Sequence, residues 1–292
     1  MSKVATNNYA QNQWTFPQNT GWWILLSLRR TNNKTNYMTI AEIMERGNAF
    51  RRYLSDIRQQ SGVDFNWYHS DSLNGLMRIE KLLKKAQQPN FFSQFQQGKI
   101  LDVGCADGDM AFFFEKELGF DITAMDRAKT NYNELQGLRY FKQKFNSKVE
   151  IIEQDIDRNI ELSKDYDVAI FLGILYHLRN PLYALNMLCL HAEYVFLGTK
   201  ISSHAPDGTS IRDLPVSYLL SKEELNNDST NYWVFSLAGI RRLIERGGYT
   251  IVSELQVGDV DASTVTDEKN ERYFALIKRV PHYKDIFNHH HF

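Results

Sequence analysis

The sequence predicts an α/β fold in which helices cover both faces of a mostly parallel sheet. From residue 99 onward, short apolar runs alternate with segments of helical periodicity, and a glycine-rich turn follows the first run directly. The seven predicted strands cover residues 99–103, 121–125, 149–153, 167–172, 194–197, 250–255 and 273–278. Helices are predicted between them at 110–118, 131–145, 181–191 and 236–246.

Changes in this pattern indicate three regions. Residues 1–98 are predicted to form an N-terminal extension, with helices at 40–58 and 73–85 and an aromatic segment at 65–69. Residues 99–280 form the predicted core domain. Within it, residues 201–235 contain prolines and many polar side chains, which indicates a lid insertion. Residues 281–292 are predicted to be a C-terminal tail.

Composition narrows the classes of partner. The chain has 34 Lys and Arg against 35 Asp and Glu, so its net charge of −1 does not favour nucleic acid, although a local basic patch remains possible. We therefore favour a small-molecule partner. Residues 22–28 are too short an apolar run to span a membrane, and the two cysteines predict no disulfide framework, which favours the cytoplasm. No spaced ligand set predicts a metal site, and the oligomeric state is left open.

The sharpest motif is the sequence ILDVGCADGD at residues 100–109. Gly104 and Gly108 follow a buried strand and allow a tight turn into a helix, with the G-x-x-x-G spacing rather than the G-x-G-x-x-G of dinucleotide enzymes. Asp102, Asp107 and Asp109 make a poor cradle for a pyrophosphate, which disfavours a nucleotide-linked dehydrogenase. The three acids suit a ligand that carries positive charge. The alternative interpretation is an ordinary strand-to-helix turn.

Two later strands also end in acids. Asp126 lies roughly twenty residues after Gly104, where nucleoside-binding α/β folds place a carboxylate on the ribose hydroxyls. Its alternative role is to cap the helix that follows. Asp155 ends the third strand, where its carboxylate could accept a hydrogen bond from an adenine amino group.

With these residues, the chain resembles the class I S-adenosylmethionine-dependent methyltransferases over about residues 99–200 and the closing helix and strand pair. The resemblance implies a Rossmann-like, seven-stranded sheet and S-adenosyl-L-methionine as cofactor. It assigns Asp102 and Gly104 to the methionine part, Asp126 to the ribose and Asp155 to adenine. Neighbouring residues at these strand ends and at the end of the fourth strand complete the predicted cofactor site: Cys105, Ala106, Gly108, Arg127, Ile156 and Leu172.

A narrower resemblance lies at residues 171–182, with the sequence FLGILYHLRNPL. This segment is similar to one in the bacterial tRNA-uridine 5-oxyacetic acid carboxymethyltransferases, and the aromatic residues at 65–68 and 231–233 fit the same layout. That resemblance implies that Tyr176, with an upstream tryptophan, holds a carboxylated cofactor. The chain departs from that family because it has no clear equivalent of the strongly basic, tRNA-binding N-terminal part.

Tyr176 and His177 are the predicted catalytic residues, since they follow the fourth strand where the transferred methyl group should face its acceptor. His177 would be a general base, because the pKa of an unperturbed histidine lies near neutrality. The alternative is a structural pair that caps the helix beginning near Pro181. Residues predicted to bind the acceptor are Trp67, Tyr68, Tyr176 and Arg212.

The sequence thus predicts an S-adenosylmethionine-dependent methyltransferase that acts at oxygen or nitrogen of a small-molecule or sugar-like acceptor. Two alternatives stay open at this point. One is a tRNA wobble-uridine methyltransferase or carboxymethyltransferase, which would need a basic surface and stacking aromatic side chains. The other is a non-catalytic module that binds the cofactor and acts through a partner.

Overall fold

The fold is built around a central sheet. The structure is a computed structural model, and it describes residues 38–95, 97–158, 160–260, 262–266, 271–281 and 283. The first 37 residues, and with them part of the predicted extension, lie outside the described residues. Most of the predicted tail at 281–292 lies outside them as well.

The sheet has seven strands: β1 Lys99–Val103, β2 Asp121–Asp126, β3 Glu150–Glu153, β4 Tyr166–Leu172, β5 Ala192–Lys200, β8 Tyr249–Val257 and β9 Arg272–Arg279. Their order across the sheet is β3-β2-β1-β4-β5-β9-β8. The first five strands pair in parallel, whereas β9 runs antiparallel to both β5 and β8. The predicted fold class is confirmed.

Six α-helices surround the sheet within the described ranges: α1 Ile40–Gln60, α2 Gly75–Lys85, α3 Asp109–Leu118, α4 Gln136–Lys144, α5 Pro181–His191 and α6 Leu237–Arg246. The first begins at a capping box, in which Thr39 and Glu42 each bond the other's backbone N–H. Three short 3-10 turns lie at Ser72–Asn74, Phe91–Gln94 and Leu175–His177. No helix in the described ranges combines the length and the apolar character that a membrane crossing requires.

Two hydrophobic cores form, one on each face of the sheet. Alternation along β1 sends Ile100 into one core and Leu101 and Val103 into the other, because successive strand side chains point to opposite faces. The first core takes its apolar side chains from α1, α2, α3 and α4, and the second takes them from α5 and α6. Both faces are therefore covered, as a parallel sheet requires.

The segment before β1 packs into the first core. Phe50 of α1 lies 5.8 Å from Phe113 of α3 between ring centroids. The Ser253 hydroxyl on β8 donates to the Leu82 carbonyl at 2.9 Å, so α2 is bonded to the edge of the sheet. The predicted helical extension therefore shares its apolar surface with the sheet.

Two details differ from the sequence expectations. The helix expected from residue 131 begins only at Gln136, because the Asn131 side chain accepts from the N–H groups of Asn133 and Leu135 and forms a turn instead. The lid segment, residues 201–235, contains two short antiparallel strands, β6 Ser217–Leu219 and β7 Trp233–Phe235. A small apolar cluster fills the lid segment: Ile211, Leu220, Leu225 and Val234, with Val265.

Candidate active site

The glycine-rich turn lies at the carboxyl edge of the sheet, between β1 and α3. Gly104 has a φ of 71° and its N–H donates to the Met125 carbonyl at 2.8 Å. A Cβ atom at Gly104 would overlap the side chain of Ile174, so both backbone conformation and packing require glycine there. Gly108 has a φ of 82° and directly precedes α3.

Asp126, at the end of β2, fixes this turn. Its Oδ2 accepts from the Ala106 N–H at 2.9 Å and from the Asn131 amide at 3.1 Å, and its Oδ1 accepts from the Arg127 N–H at 2.7 Å. These bonds stabilise Ala106 at a φ of 53°, which is uncommon for a residue other than glycine. Asp126 does not cap the next helix, because α4 begins ten residues later, at Gln136.

The chemistry of Asp126 fits a ribose. Two carboxylate oxygens offer about four lone-pair sites, and the protein's own donors take three of them. Burial raises the pKa of Asp126, and the hydrogen bonds from Arg127, Ala106 and Asn131 act against that shift. A half-buried carboxylate with remaining acceptor capacity suits a sugar diol.

Asp155 follows β3 at the same edge. Its Oδ2 lies 2.9 Å from Arg127 Nη1 and 3.5 Å from Arg158 Nε. The predicted cofactor residue Arg127, which follows Asp126 in the chain, is thus ion-paired with Asp155. Ile156 is half-buried against the second core. An adenine amino group would find an acceptor here.

Asp102 is buried at the end of β1, only 4% exposed, and its Oδ2 has no hydrogen-bond partner among the described residues. Burial, together with the nearby charge of Asp126, raises the pKa of Asp102 to about 7. A buried carboxylate oxygen without a donor is costly, and an ammonium group would relieve that cost. Asp102 therefore fits the amino group of a methionine part. The neighbouring Cys105 is buried, which raises the pKa of its thiol.

The other two acids of the motif have partners within the protein. Asp109 forms a short ion pair with Arg58 of α1, and Asp107 Oδ2 lies 3.6 Å from the same guanidinium. Asp107 also accepts from the Asn133 amide at 2.8 Å and from the Tyr68 N–H at 2.8 Å. These bonds account for both acids without a ligand, so their contact with a positively charged ligand stays a prediction.

Arg58 also determines the position of Trp67. The guanidinium carbon lies 5.4 Å from the Trp67 ring and 5.1 Å from the Phe141 ring, and Trp67 packs on Phe141 at 4.9 Å between centroids. This packing accounts for Trp67 without an acceptor, so its role in acceptor binding stays a prediction. Sequence reasoning missed Arg58, which carries no local motif.

Tyr68 lies beside the glycine-rich turn, because its N–H donates to Asp107 Oδ2. Burial raises the pKa of the Tyr68 hydroxyl, and the negative charges of Asp126, Asp107 and Asp228 raise it too. The Tyr68 ring stacks on His69 at 4.9 Å. Arg272, at the start of β9, donates to the Tyr176 hydroxyl at 3.3 Å and lies 5.3 Å above its ring. Arg272 was not predicted as a site residue, because its partner Tyr176 is distant in the chain and no local motif links the two.

His177 packs its ring 4.0 Å from that of Tyr176 and bonds to the lid segment. Its Nδ1 lies 3.0 Å from the Thr230 hydroxyl oxygen and 3.2 Å from the Thr230 carbonyl oxygen. Burial lowers the pKa of His177, so the imidazole is neutral at pH 7. His177 makes no cap for α5, whose N-cap residue is Asn180.

Arg212 lies apart from this group. Its guanidinium donates to the Val260 carbonyl at 2.8 Å and to the Gln256 amide oxygen at 2.6 Å, and it lies 3.6 Å from buried Glu271. These bonds tie the lid segment to the connection between β8 and β9. Leu172 packs against the first core at the end of β4. Acceptor binding by Arg212 stays a prediction.

A protein-family profile described as "Methyltransferase domain" matches residues 77–254, which is more than half of the chain. No curated protein sequence matches the chain.

Solved structures of methyltransferases are similar to the chain at low identity. The N-terminal domain of EvdMO1 with SAH bound shares 16% identity over 79% of this chain and 97% of that chain, with a TM-score of 0.49. An S-adenosylmethionine-dependent methyltransferase from Clostridium acetobutylicum shares 13% identity over 80% and 98%, with a TM-score of 0.46. A putative methyltransferase from Bacillus halodurans shares 12% over 67% and 97%, with a TM-score of 0.49.

Replacing Asp126 with alanine tests the ribose assignment. We expect the dissociation constant for S-adenosylhomocysteine, measured by calorimetry, to rise at least tenfold, because each lost charge-assisted hydrogen bond costs ~1.5–3 kcal/mol. The matched control is Asp121→Ala at the exposed opposite end of the same strand, which should leave the affinity unchanged. An unaltered dissociation constant in a folded Asp126→Ala protein would refute the role.

The turn at Gly104 and the strand-end carboxylates Asp102, Asp126 and Asp155 offer groups that fit the three parts of one cofactor. The family match covers the same stretch of chain. The chain belongs to the methyltransferase domain family and is a methyltransferase that uses S-adenosylmethionine.

Proposed function

We propose that the chain transfers a methyl group to oxygen or nitrogen of a small-molecule or sugar-like acceptor, with His177 as the general base. The observation that carries this proposal is the position of Tyr176 and His177, whose rings lie 4.0 Å apart just after β4, at the same carboxyl edge of the sheet as Asp126. Ligands bind at that edge in open parallel sheets. These side chains combine aromatic surface with polar tips, as small-molecule pockets do.

In this proposal Asp126 holds the ribose, Asp155 holds the adenine amino group, and Asp102 holds the methionine amino group. Bound S-adenosylmethionine would supply a methyl carbon made electrophilic by its sulfonium, and the departing thioether would keep the electron pair of the carbon–sulfur bond. His177 Nε2 would take the acceptor's proton as the acceptor's oxygen or nitrogen forms its bond to that carbon. The protein's contribution is alignment and proton removal.

Charge balance supports a small acceptor over a nucleic acid. Lys and Arg number 34 against 35 Asp and Glu, whereas nucleic-acid affinity depends mainly on an excess of cations facing the phosphates. At the proposed site, Arg272 is bonded to Tyr176, and Arg127 is ion-paired with Asp155. These cations are already partnered within the protein.

Transfer of tritium from methyl-labelled S-adenosylmethionine tests the proposal on panels of phenols, sugars, amines and bulk tRNA. We expect transfer to a member of the small-molecule panels. With that acceptor, His177→Ala should lower turnover by ~10²–10⁴-fold and leave cofactor affinity unchanged, because only proton removal is lost. His204→Ala in the lid segment is the control. Transfer to tRNA alone, or full turnover by His177→Ala, would contradict the proposal.

A second candidate is carboxymethyl transfer to a tRNA wobble uridine, and one observation favours it. The Arg272 guanidinium donates to the Tyr176 hydroxyl and covers its ring, so a cation lies next to a hydroxyl that can itself donate. Such a pair is suited to a carboxylate, which prefers charge-assisted bonds from arginine. A carboxylated cofactor would provide that group.

Tyr176→Phe separates the two candidates by calorimetry. If methyl transfer is correct, the wild-type protein binds ordinary S-adenosylmethionine at least as tightly as the carboxylated form. Tyr176→Phe should then change the two dissociation constants by the same factor. Tyr132→Phe, which changes an exposed tyrosine, is the control. Tighter binding of the carboxylated form by the wild-type protein would favour the second candidate if Tyr176→Phe reduced that preference tenfold or more. A reduction of that size corresponds to the loss of one hydrogen bond to a charged group, worth ~1.5–3 kcal/mol.

A further inference from the structure

The Nδ1 atom of His177 faces two oxygen atoms of one lid residue. The Thr230 carbonyl oxygen lies 3.2 Å away and the Thr230 hydroxyl oxygen lies 3.0 Å away. A carbonyl oxygen only accepts hydrogen bonds, whereas a hydroxyl can donate or accept. The state of the Thr230 hydroxyl therefore decides which imidazole nitrogen carries the hydrogen.

Asp228 decides the state of that hydroxyl. The Thr230 hydroxyl oxygen lies 2.6 Å from Asp228 Oδ1, and the Thr230 N–H donates to the same oxygen at 2.9 Å. A carboxylate is an acceptor only, so the hydroxyl hydrogen points at Asp228. Toward His177 the Thr230 hydroxyl then presents only a lone pair. Both oxygens that face Nδ1 are acceptors, and Nδ1 must carry the hydrogen.

We propose that Asp228 and Thr230 are positioning residues that hold His177 as its Nδ1–H tautomer, with the Nε2 lone pair free to accept a proton. This inference rests on the proposed function, in which His177 is the base. The hydrogen bond at one imidazole nitrogen sets the protonation of the other. Two charged groups act on the ring: the Asp228 carboxylate raises the pKa of His177 and the Arg272 guanidinium lowers it, while burial lowers it most.

Asp228 and Thr230 belong to the lid segment, whereas His177 lies in the turn that follows β4. Hydrogen bonds join these two segments close to His177. The Tyr232 N–H donates to the Tyr176 carbonyl at 3.0 Å. Arg179 Nε donates to the Tyr232 hydroxyl at 2.9 Å and the guanidinium covers its ring at 5.4 Å. The lid segment is thus hydrogen-bonded to residues on both sides of His177. The same contacts that fix the lid segment here therefore also fix the tautomer of His177.

Nuclear magnetic resonance of the imidazole nitrogens in the full chain tests the tautomer without any acceptor. His177→Gln assigns the signals. At neutral pH we expect the Nδ1–H form in the wild-type protein. Thr230→Val removes one acceptor and Asp228→Ala releases the hydroxyl hydrogen toward Nδ1, so both should raise the Nε2–H population. Thr230→Ser keeps the hydroxyl and should preserve the wild-type form.

The lid segment offers a matched control, because Asp207 and Thr209 form a similar turn in which the Thr209 N–H donates to Asp207 Oδ1 at 2.9 Å. Asp207→Ala and Thr209→Val should leave the tautomer unchanged. Asp228→Ala should also lower the pKa of His177, because the Asp228 carboxylate raises it in the wild-type protein.

A wild-type Nε2–H tautomer, or an Nδ1–H form unaffected by both Thr230→Val and Asp228→Ala, would overturn the inference. Neither of these results would contradict the proposal that the acceptor is a small molecule. Conversely, full turnover by His177→Ala would show that His177 is not the general base, but it would not change the tautomer measured by nuclear magnetic resonance. The two failures are therefore distinguishable.

Discussion

The left-handed turn between Gly104 and Gly108 is the constraint on which the candidate site depends. Three residues of this short segment adopt positive φ angles, at Gly104, Ala106 and Gly108. Such a backbone needs support from its surroundings. Asp126 supports it from one side through the Ala106 N–H. From the other side, Arg58 binds the carboxylates of Asp107 and Asp109, which flank Gly108.

This arrangement makes the helical segment before β1 part of the candidate cofactor site. Arg58 belongs to α1, whose apolar face packs in the first core, and its guanidinium reaches the buried acids of the turn. Burial raises the pKa of Asp109 to about 6, while the Arg58 charge lowers it. Removal of Arg58 would leave two buried carboxylates without their cation, a costly change in any protein interior. The acid-rich motif therefore joins two segments of the protein, in addition to its proposed role in cofactor binding.

The sequence predicted those features that are encoded locally. The order of strands and helices followed from periodicity, and the spacing of Gly104, Asp126 and Asp155 predicted three groups at one edge of the sheet. Contacts between distant residues left no such pattern. The Arg58–Asp109 pair spans 51 positions and the Arg272–Tyr176 bond spans 96. The late start of α4 depends on hydrogen bonds to the Asn131 side chain, which form a turn in place of the first helical turn. The apolar periodicity of the sequence does not reveal these bonds.

The protein's own hydrogen bonds hold the turn in the form that we propose binds the cofactor. Native-state hydrogen exchange of the amides of Gly104, Cys105 and Ala106 can be measured in protein freed of cofactor. We expect these amides to exchange as slowly as those of β1 and β2, because the Met125 carbonyl and the Asp126 carboxylate accept their hydrogens. Exchange at the rate of an unstructured peptide, slowed only when S-adenosylhomocysteine is added, would contradict it.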